Sequence, residues 1–382
     1  MTAKSMHKPG RGRKVLVAMS GGVDSSVAAA LLQEDGYEVV GCFMRLGSED
    51  GIESGECSAE LGSAKPQAAH KQGCCSVNDS ADARLVAAML DVPFYVMNFK
   101  ADFGRIINYF VEEYNDGRTP NPCIRCNDWL KFGKLMAYAA SIDADFVATG
   151  HYARVDRSHG EPRLLQGVDR RKDQSYVLFG QPRDRLSRML LPVGAYDKPA
   201  IRQMAEDRDL PVFDKPDSQE ICFVPDNDYA GLIERRSPDD VEPGDIVDRE
   251  GNVVGRHPGH QHFTIGQRRG VGVALGYPIY VVDKDAATNT VTVGGNEHLL
   301  AAALSADEAN WLIDPPSDPI DCHVKVRSNM TPAPATVTAS DPGALVVTFN
   351  EPCRAVSPGQ AAVAYVGEQL IGGGWIRDVQ RV

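Results

Sequence analysis

The run from Val15 to Ser26, Val-Leu-Val-Ala-Met-Ser-Gly-Gly-Val-Asp-Ser-Ser, constrains the fold of this chain more than any other stretch. Val15 to Met19 is a short apolar run suited to a buried parallel strand. Ser20-Gly21-Gly22 breaks that run, and Asp24, Ser25 and Ser26 are residues that favour a helix start. Val27 to Leu32 is rich in good helix formers. The pattern predicts strand, glycine turn, helix N-terminus. Glycines let successive backbone N–H groups converge there, and the helix dipole adds partial positive charge, which makes a cradle for phosphate. A tight βα turn with a serine cap is the plainer alternative, and the glycine pair by itself would fit it.

The spacing is wrong for a Walker loop, Gly-x-Gly-x-x-Gly is absent, and no lysine lies in the loop to follow a transferring γ-phosphate. Ser-Gly-Gly-x-Asp-Ser instead resembles the pyrophosphatase-type (PP) loop of ATP-dependent adenylating enzymes. In that group the loop grips the pyrophosphate that leaves when AMP passes to a substrate.

A length of 382 residues suggests two or three domains with ample core. No apolar run approaches the roughly 20 residues that span a bilayer. Met1 to Lys14 is basic and polar without an apolar h-region, so a frayed arm over 1–13 is expected and not a signal peptide; a cytoplasmic enzyme follows. Nine cysteines, an odd number, argue against a disulfide framework and for thiol chemistry or metal. The formal net charge of −12 means that a nucleic-acid partner must be met by local basic patches.

Residues 15 to about 152 alternate strand and helix. Strands are expected over Glu38 to Met44, Pro93 to Asn98 and Asp145 to Thr149, with helices near Asp79 to Leu90, Asp102 to Tyr114 and Trp129 to Ala140. This order implies an open parallel sheet with ligands at the carboxyl ends of its strands, where Met44, Asn98 and Gly150 fall. Residues 45–76 read as a long polar insertion with Cys57, Cys74 and Cys75. A hairpin is expected around Ser158-His159-Gly160 and a helix near Lys198 to Arg208. From about Val241 short β-type runs take over: Asp245 to Val247, Asn252 to Val254, Ile279 to Val282 and Val291 to Val293. A second group covers Val324 to Val326, Ala335 to Thr338, Leu345 to Phe349 and Ala361 to Tyr365. Two small β-barrel-like modules are expected, dividing the chain into 1–225, 226–300 and 301–382.

Gly117 to Phe132, Gly-Arg-Thr-Pro-Asn-Pro-Cys-Ile-Arg-Cys-Asn-Asp-Trp-Leu-Lys-Phe, reads as a rigid loop entering a helix. Cys126 would sit near that helix start, with Arg118, Arg125, Lys131 and Lys134 adding positive charge, and a thiolate there would be a competent nucleophile. Cys222 lies in Lys-Pro-Asp-Ser-Gln-Glu-Ile-Cys-Phe, where a lone cysteine also suits plain packing. Cys42, Cys322 and Cys353 read most simply as packing residues.

Taken in order, these motifs resemble the bacterial tRNA-specific 2-thiouridylase family of the PP-loop ATP pyrophosphatase superfamily, from about Lys14 to Ile376. The set is Ser-Gly-Gly-Val-Asp-Ser-Ser, Gly-Arg-Thr-Pro-Asn-Pro-Cys-x-x-Cys-Asn, Ala-Thr-Gly-His-Tyr-Ala, Lys-Asp-Gln-Ser-Tyr and Asp-Ser-Gln-Glu-Ile-Cys-Phe. Thr-Ile-Gly-Gln-Arg-Arg-Gly, Ser-Pro-Gly-Gln-Ala-Ala and Gly-Gly-Gly-Trp-Ile follow. The resemblance implies an adenine-nucleotide alpha hydrolase-like catalytic domain followed by the two β modules. It implies ATP, with Mg2+, held by Ala18, Met19, Ser20, Gly21, Gly22, Val23, Asp24, Ser25, Met44 and Gly150. The wobble uridine of certain tRNAs would be adenylated on its C2 oxygen. Cys222 would carry a persulfide sulfur supplied by a sulfur-relay protein or a cysteine desulfurase. Cys126 would free that sulfur, closing a transient Cys126–Cys222 disulfide, or assist at C2. Asn121, Pro122 and Cys123 would touch the target base. Lys172, Asp173 and Gln174, with His151, Arg327 and Gln360, would contact tRNA.

Competing readings stay open at several of these residues. Lys172 to Gln174 also fit a solvated turn, His151 a structural histidine, and Gln267-Arg268-Arg269 a solvated hairpin or a phosphate contact. Some family members carry an acidic residue at Cys123. As a cysteine, it makes with Cys126 and Cys222 three thiols, enough for a [4Fe-4S] cluster that would carry sulfur in place of the persulfide. Cys123-x-x-Cys126 is too small a set for structural zinc. A PP-loop ligase acting on a small metabolite is the enzyme rival, and a non-catalytic tRNA-binding or sulfur-carrier protein is the rival from another class.

Overall fold

The computed structural model describes residues 8–47, 77–217, 221–224, 227–341 and 343–382. Most of the insertion expected over 45–76, including Cys57, Cys74 and Cys75, lies outside the described residues, as do residues 1–7 and 218–220. The N-terminal half contains β1 (Lys14–Ala18), β2 (Glu38–Arg45), β3 (Phe94–Asn98) and β4 (Phe146–Ala148). Beyond a hairpin of β5 (Ala153–Asp156) and β6 (Arg163–Gln166) comes β7 (Met189–Leu190). β1 to β4 and β7 form one parallel sheet in the order β3-β2-β1-β4-β7.

Both faces of the sheet are covered at its central strands β1 and β2, which explains their continuous apolar runs, whereas edge strand β3 leaves Tyr95 and Val96 exposed. Leu16, Val40 and Cys42 enter one core, while Val15, Val17, Val39 and Phe43 enter the other. Three helices fill the connections: α1 (Val23–Glu34), α2 (Val77–Met89) and α3 (Lys100–Asn115). α1 stops where Gly36 takes φ +87°, a left-handed value suited to glycine. A longer helical run then joins α4 (Pro122–Arg125), a wide π-helical stretch over Cys126–Lys134, and α5 (Leu135–Ser141). α6 (Lys198–Glu206) and α7 (Tyr229–Arg236) follow. Chain order reverses between β1 and β4, and such a switch point opens a crevice at the carboxyl ends of the strands.

Of the arm expected over 1–13, residues 8–13 are described; they are exposed except for Gly10 but are tied to the domain at two points. Gly10 N–H donates to Asp35 O at 3.0 Å, and the Arg13 guanidinium lies over the rings of Tyr37 and Phe146 at 5.4 and 5.1 Å. Basic composition suggested solvent, but an arginine stem and fork can pack on aromatic faces.

β8 (Gly244–Val247), β9 (Val253–His257), β10 (Tyr280–Asp285) and β11 (Thr290–Gly294) form a four-stranded sheet over Ile246, Val281, Val291 and Val293. The last unit comprises β12 (Leu300–Trp311), β13 (Ile320–Lys325), β14 (Ala333–Ala339), β15 (Leu345–Arg354), β16 (Ala361–Val366) and β17 (Gln369–Arg381). Pairing of β12 with β17 closes these six strands into a barrel. The two closing strands are the ones that sequence pattern misses. β17 runs through Gly372-Gly373-Gly374, outside the strands expected from the sequence. A Cβ at Gly373 would lie 2.7 Å from Ala362 O, so glycine serves close strand approach here. The β5–β6 hairpin leaves the parallel sheet and joins the barrel edge through Leu165 and Gln369. Among the described residues no helix is long and apolar enough to cross a membrane.

Candidate active site

The loop after β1 is built largely from its own hydroxyls and backbone. Ser25 Oγ accepts from Ser20 N–H at 3.1 Å and donates to Gly22 O at 3.1 Å, and Ser26 Oγ donates to the same carbonyl at 2.9 Å. The cap position of α1 is Gly22, which offers no side chain, so Asp24, Ser25 and Ser26 lie inside the first turn and do not cap it. Gly21 has φ +74°, and a Cβ there would fall 2.1 Å from Asp79 O. Gly150, just past β4, abuts the same turn: a Cβ would stand 2.7 Å from Ser25 N. Thus the Gly21-Gly22 turn, the first turn of α1 and Gly150 pack together at the carboxyl ends of β1 and β4, where a helix N-terminus favours negative charge.

Asp24 does not stand alone. Lys198 Nζ donates to both its oxygens at 2.8 Å and Tyr152 OH donates at 2.6 Å. Lys198 is 8% exposed and also pairs with Asp217 at 2.8 Å. Asp217 further accepts from Lys172 at 2.7 Å and Arg202 at 3.0 Å. Burial works to raise the Asp217 carboxyl, but its bonds from Lys172 and Lys198 outweigh this and hold it at about 2. Lys215 Nζ donates to Gly21 O at 2.9 Å and pairs with Asp79 at 2.7 Å. The loop carries no lysine of its own, yet Lys198 and Lys215 reach it from distant segments. Sequence reasoning missed both, and nothing local to Lys198 marks it; Lys215 and Tyr152 at least lie within motifs.

The thiols meet at another cluster. Cys126 and Cys222, 96 positions apart, both pack half-buried against Leu46, Phe99, Phe103, Ile106, Ile107 and Leu130. Met44 packs on the same cluster and also on the core beneath the sheet. Cys123 is exposed. The helix starts at Pro122 with Asn121 in its cap position, so Cys126 lies past the first turn and Cys123 within it. The expected cations are mostly engaged with acids. Arg118 is bound by Glu113 and Asp116, Arg125 by Glu308, and Lys134 by Asp102. Asp128, two residues past Cys126, is pushed up to about 7 by burial, against the pull of Arg125 and Arg185; Gln181 donates to it at 2.6 Å. No disulfide joins the described cysteines. Cys42, Cys322 and Cys353 are buried, and burial pushes the Cys42 thiol up to about 12.

The residues expected at tRNA fall into two groups. Arg327 is exposed at the end of β13, and Gln174 is exposed with its Oε1 accepting from Tyr152 N–H at 2.9 Å. Lys172 is partly exposed beside Asp217, whereas Asp173, His151 and Gln360 are turned to internal partners. Asp173 is 8% exposed; it accepts from Gly167 N–H and Ser175 N–H and pairs with buried Lys325 at 3.3 Å, which no solvated turn would do. His151 is buried with Nδ1 2.7 Å from Thr149 Oγ1, and burial, with the nearby Lys131 charge, drives its pKa well down. Gln360 Nε2 donates to Thr119 O at 2.9 Å and to Pro120 O at 3.2 Å, the residues just before Asn121.

Three family models match in sequence: a tRNA methyl transferase HUP domain over 13–226, its PRC-barrel domain over 232–295, and an aminomethyltransferase β-barrel domain over 301–376. The tRNA-specific 2-thiouridylase MnmA of Rhodopirellula baltica is 47% identical over 95% of this chain and 96% of its own length. Its namesake from Carboxydothermus hydrogenoformans is 47% identical over 95% and 97%, and that of Clostridium perfringens 43% over 96% and 99%. Among solved structures, NMN synthetase from Francisella tularensis is similar at TM-score 0.32 and 16% identity, covering 61% of this chain and 80% of that one. On full-length matches at this level, the chain belongs to the tRNA-specific 2-thiouridylase family.

Proposed function

We propose that this chain is an ATP-dependent tRNA 2-thiouridylase acting on the wobble uridine, working as three units over 1–225, 226–300 and 301–382. The observation that carries the reading is that Cys126 and Cys222, far apart in sequence, pack on one apolar cluster with Met44, which lies near the carboxyl end of β2 in the sheet that carries the phosphate loop. The uridine C2 oxygen attacks the α-phosphorus of ATP. Pyrophosphate leaves into the cradle of Ala18 to Ser25 and Gly150, and the magnesium ion travels with the nucleotide as part of the substrate. AMP then activates C2 as a leaving group.

Cys222 holds a persulfide made by a relay protein or a cysteine desulfurase. Cys126 thiolate attacks the Cys222 sulfur, forming the Cys126–Cys222 disulfide and expelling hydrosulfide. Hydrosulfide adds at C2 and AMP departs, leaving the C2 thiocarbonyl. A cellular thiol reductant then supplies two electrons and returns both cysteines to thiols. Asn121, Pro122 and Cys123 border the base, while Lys172, Gln174 and Arg327 supply local contacts to tRNA. Asp173, His151 and Gln360 act by holding the chain segments that carry those contacts. An enzyme working on tRNA with such a donor belongs in the cytoplasm.

Among the described residues no three cysteine, histidine or acidic side chains are grouped to hold a metal. Exposed Cys123 and half-buried Cys126 and Cys222 fit a persulfide pair with a neighbour better than a three-thiol cluster site. The test is pyrophosphate release from ATP, read together with 2-thiouridine by mass spectrometry of the nucleosides. Both should depend on tRNA bearing the wobble uridine. Release driven by amino acids or small carbonyl metabolites instead would point to a ligase, and no release under any condition to a binding protein. Loss of iron together with activity in Cys123→Ser, Cys126→Ser and Cys222→Ser would favour the cluster.

A further inference from the structure

Arg125, the residue before Cys126, has an environment that the reaction above does not use. Its guanidinium lies 4.3 Å from the centre of the Trp375 ring, 5.1 Å from Tyr109 and 5.3 Å from Trp129. Its two terminal nitrogens make a bidentate pair with Glu308, at 2.9 and 2.8 Å. Tyr109 and Trp129 belong to the catalytic half, whereas Glu308 and Trp375 are contributed by the barrel strands β12 and β17.

The barrel is distorted to present these two groups. The β12–β17 register shifts between Asp307 and Asn310, and Glu308 sits in that bulge at φ +46°, a left-handed value unusual for a glutamate. Strain of this kind persists only where the surroundings enforce it, and it gathers at functional sites. The Gly-Gly-Gly-Trp-Ile motif finds its physical reason here. Cβ atoms at Gly372 and Gly374 would lie 2.8 Å from Asn310 O and Asp307 O, so only glycine lets β17 pass the bulge and lay Trp375 on Arg125. A second tie from the same barrel fixes the chain just upstream: Thr119 N–H donates to Pro358 O at 2.9 Å, and Gln360 bonds Thr119 O and Pro120 O.

We infer that the C-terminal barrel positions the Cys126 thiol for sulfur transfer by clamping Arg125 between Trp375 and Glu308. This rests on the 2-thiouridylase reading and deepens it: Arg125 and Glu308 are positioning residues for the sulfur step and not for adenylation. A fork held bidentate on one side and stacked on aromatic faces fixes both the height and the rotation of the helical turn that carries Cys126. A thiol displaced by an ångström from its attack line loses rate steeply. The phosphate loop is held by Ser25 from within and by Lys198, Lys215 and Asp79, which bond to Asp24, to Gly21 O and to one another, so adenylation should not feel the clamp.

The experiment uses the full chain with Glu308→Gln, Arg125→Lys and the double variant, and follows three quantities. These are tRNA-dependent pyrophosphate release, 2-thiouridine formation at saturating tRNA, and the rate of iodoacetamide alkylation of the Cys126 peptide. Glu308 is half exposed, so Glu308→Gln should fold, and its thermal midpoint checks this. Each single variant should lower kcat for thiolation roughly tenfold or more. The tRNA KM and pyrophosphate release should stay within about twofold, the Cys126 alkylation rate should change, and the double variant should be no worse than the poorer single one. Thiolation at the wild-type rate in folded Glu308→Gln would overturn the inference. So would a loss appearing in KM, or one shared equally by pyrophosphate release. Wild-type protein run alongside reports on the reaction itself, so its inactivity would sink the 2-thiouridylase reading, whereas active wild type with unaffected variants sinks only the clamp.

Discussion

The phosphate loop occupies one run of the chain, Ala18 to Ser25, whereas the thiol site draws on Cys126, Cys222 and a barrel that begins near residue 300. Within that run the loop's turn comes from contacts a few residues long, Ser20 with Ser25 and Gly22 with Ser26, and Lys198 and Lys215 brace it from outside. The thiol site exists only once α3, the 122–141 helical run and the barrel have packed together. Local damage should therefore strike the loop hard and in one step. The thiol site should respond to substitutions far from either cysteine.

Gly21→Ala should show the largest effect. Positive φ alone costs an alanine about 1–2 kcal/mol, and its Cβ would collide with Asp79 O. Pyrophosphate release and thiolation should fall together, on the order of 100-fold. Thiolation that drops while pyrophosphate release survives would mean that the loop does not serve adenylation. Lys284 offers a pH test away from both sites. Burial pulls its pKa down to about 7, Asp283 opposing this, and Nζ is buried without a hydrogen bond, 5.4 Å from the Tyr114 ring centre. The unfolded chain, with a lysine near 10.4, binds the extra proton between pH 7 and 10. The wild-type protein should therefore gain stability as pH rises through that window. Lys284→Met should be the more stable at pH 6 to 7 and lose its advantage by about pH 10, as read from denaturation midpoints. An advantage independent of pH would show that the lysine is not held in its neutral range.

Arg327 is exposed, so Arg327→Ala should weaken tRNA binding modestly and flatten the dependence of log Kd on log salt by about one unit. An unchanged slope would remove it from the interface. Cys123→Ser should do least, keeping thiolation within about threefold of wild type, because the persulfide route needs only the half-buried pair. A dead Cys123→Ser enzyme would break the contrast between exposed and half-buried thiols.

What the sequence disclosed follows the same division. The strand, glycine turn and helix were readable because residues adjacent in sequence make them, and alternation of β with α pointed to the parallel sheet. Lys198 and Lys215 were not readable at the loop, since their partners lie 174 and 194 positions away. Arg125 looked like a charge to activate Cys126, but its aromatic and acidic partners are spread over three other elements. The bulge at Glu308 leaves no mark in composition, and the three glycines of β17 carry no side chains to show a strand's alternation.

The most direct test of a loop that adenylates and separate thiols that deliver sulfur is a single-turnover reaction of Cys222→Ser with ATP and tRNA. Pyrophosphate should appear at about the wild-type rate, with no 2-thiouridine formed. Failure of this variant to release pyrophosphate, or formation of 2-thiouridine without the Cys222 thiol, would contradict the separation.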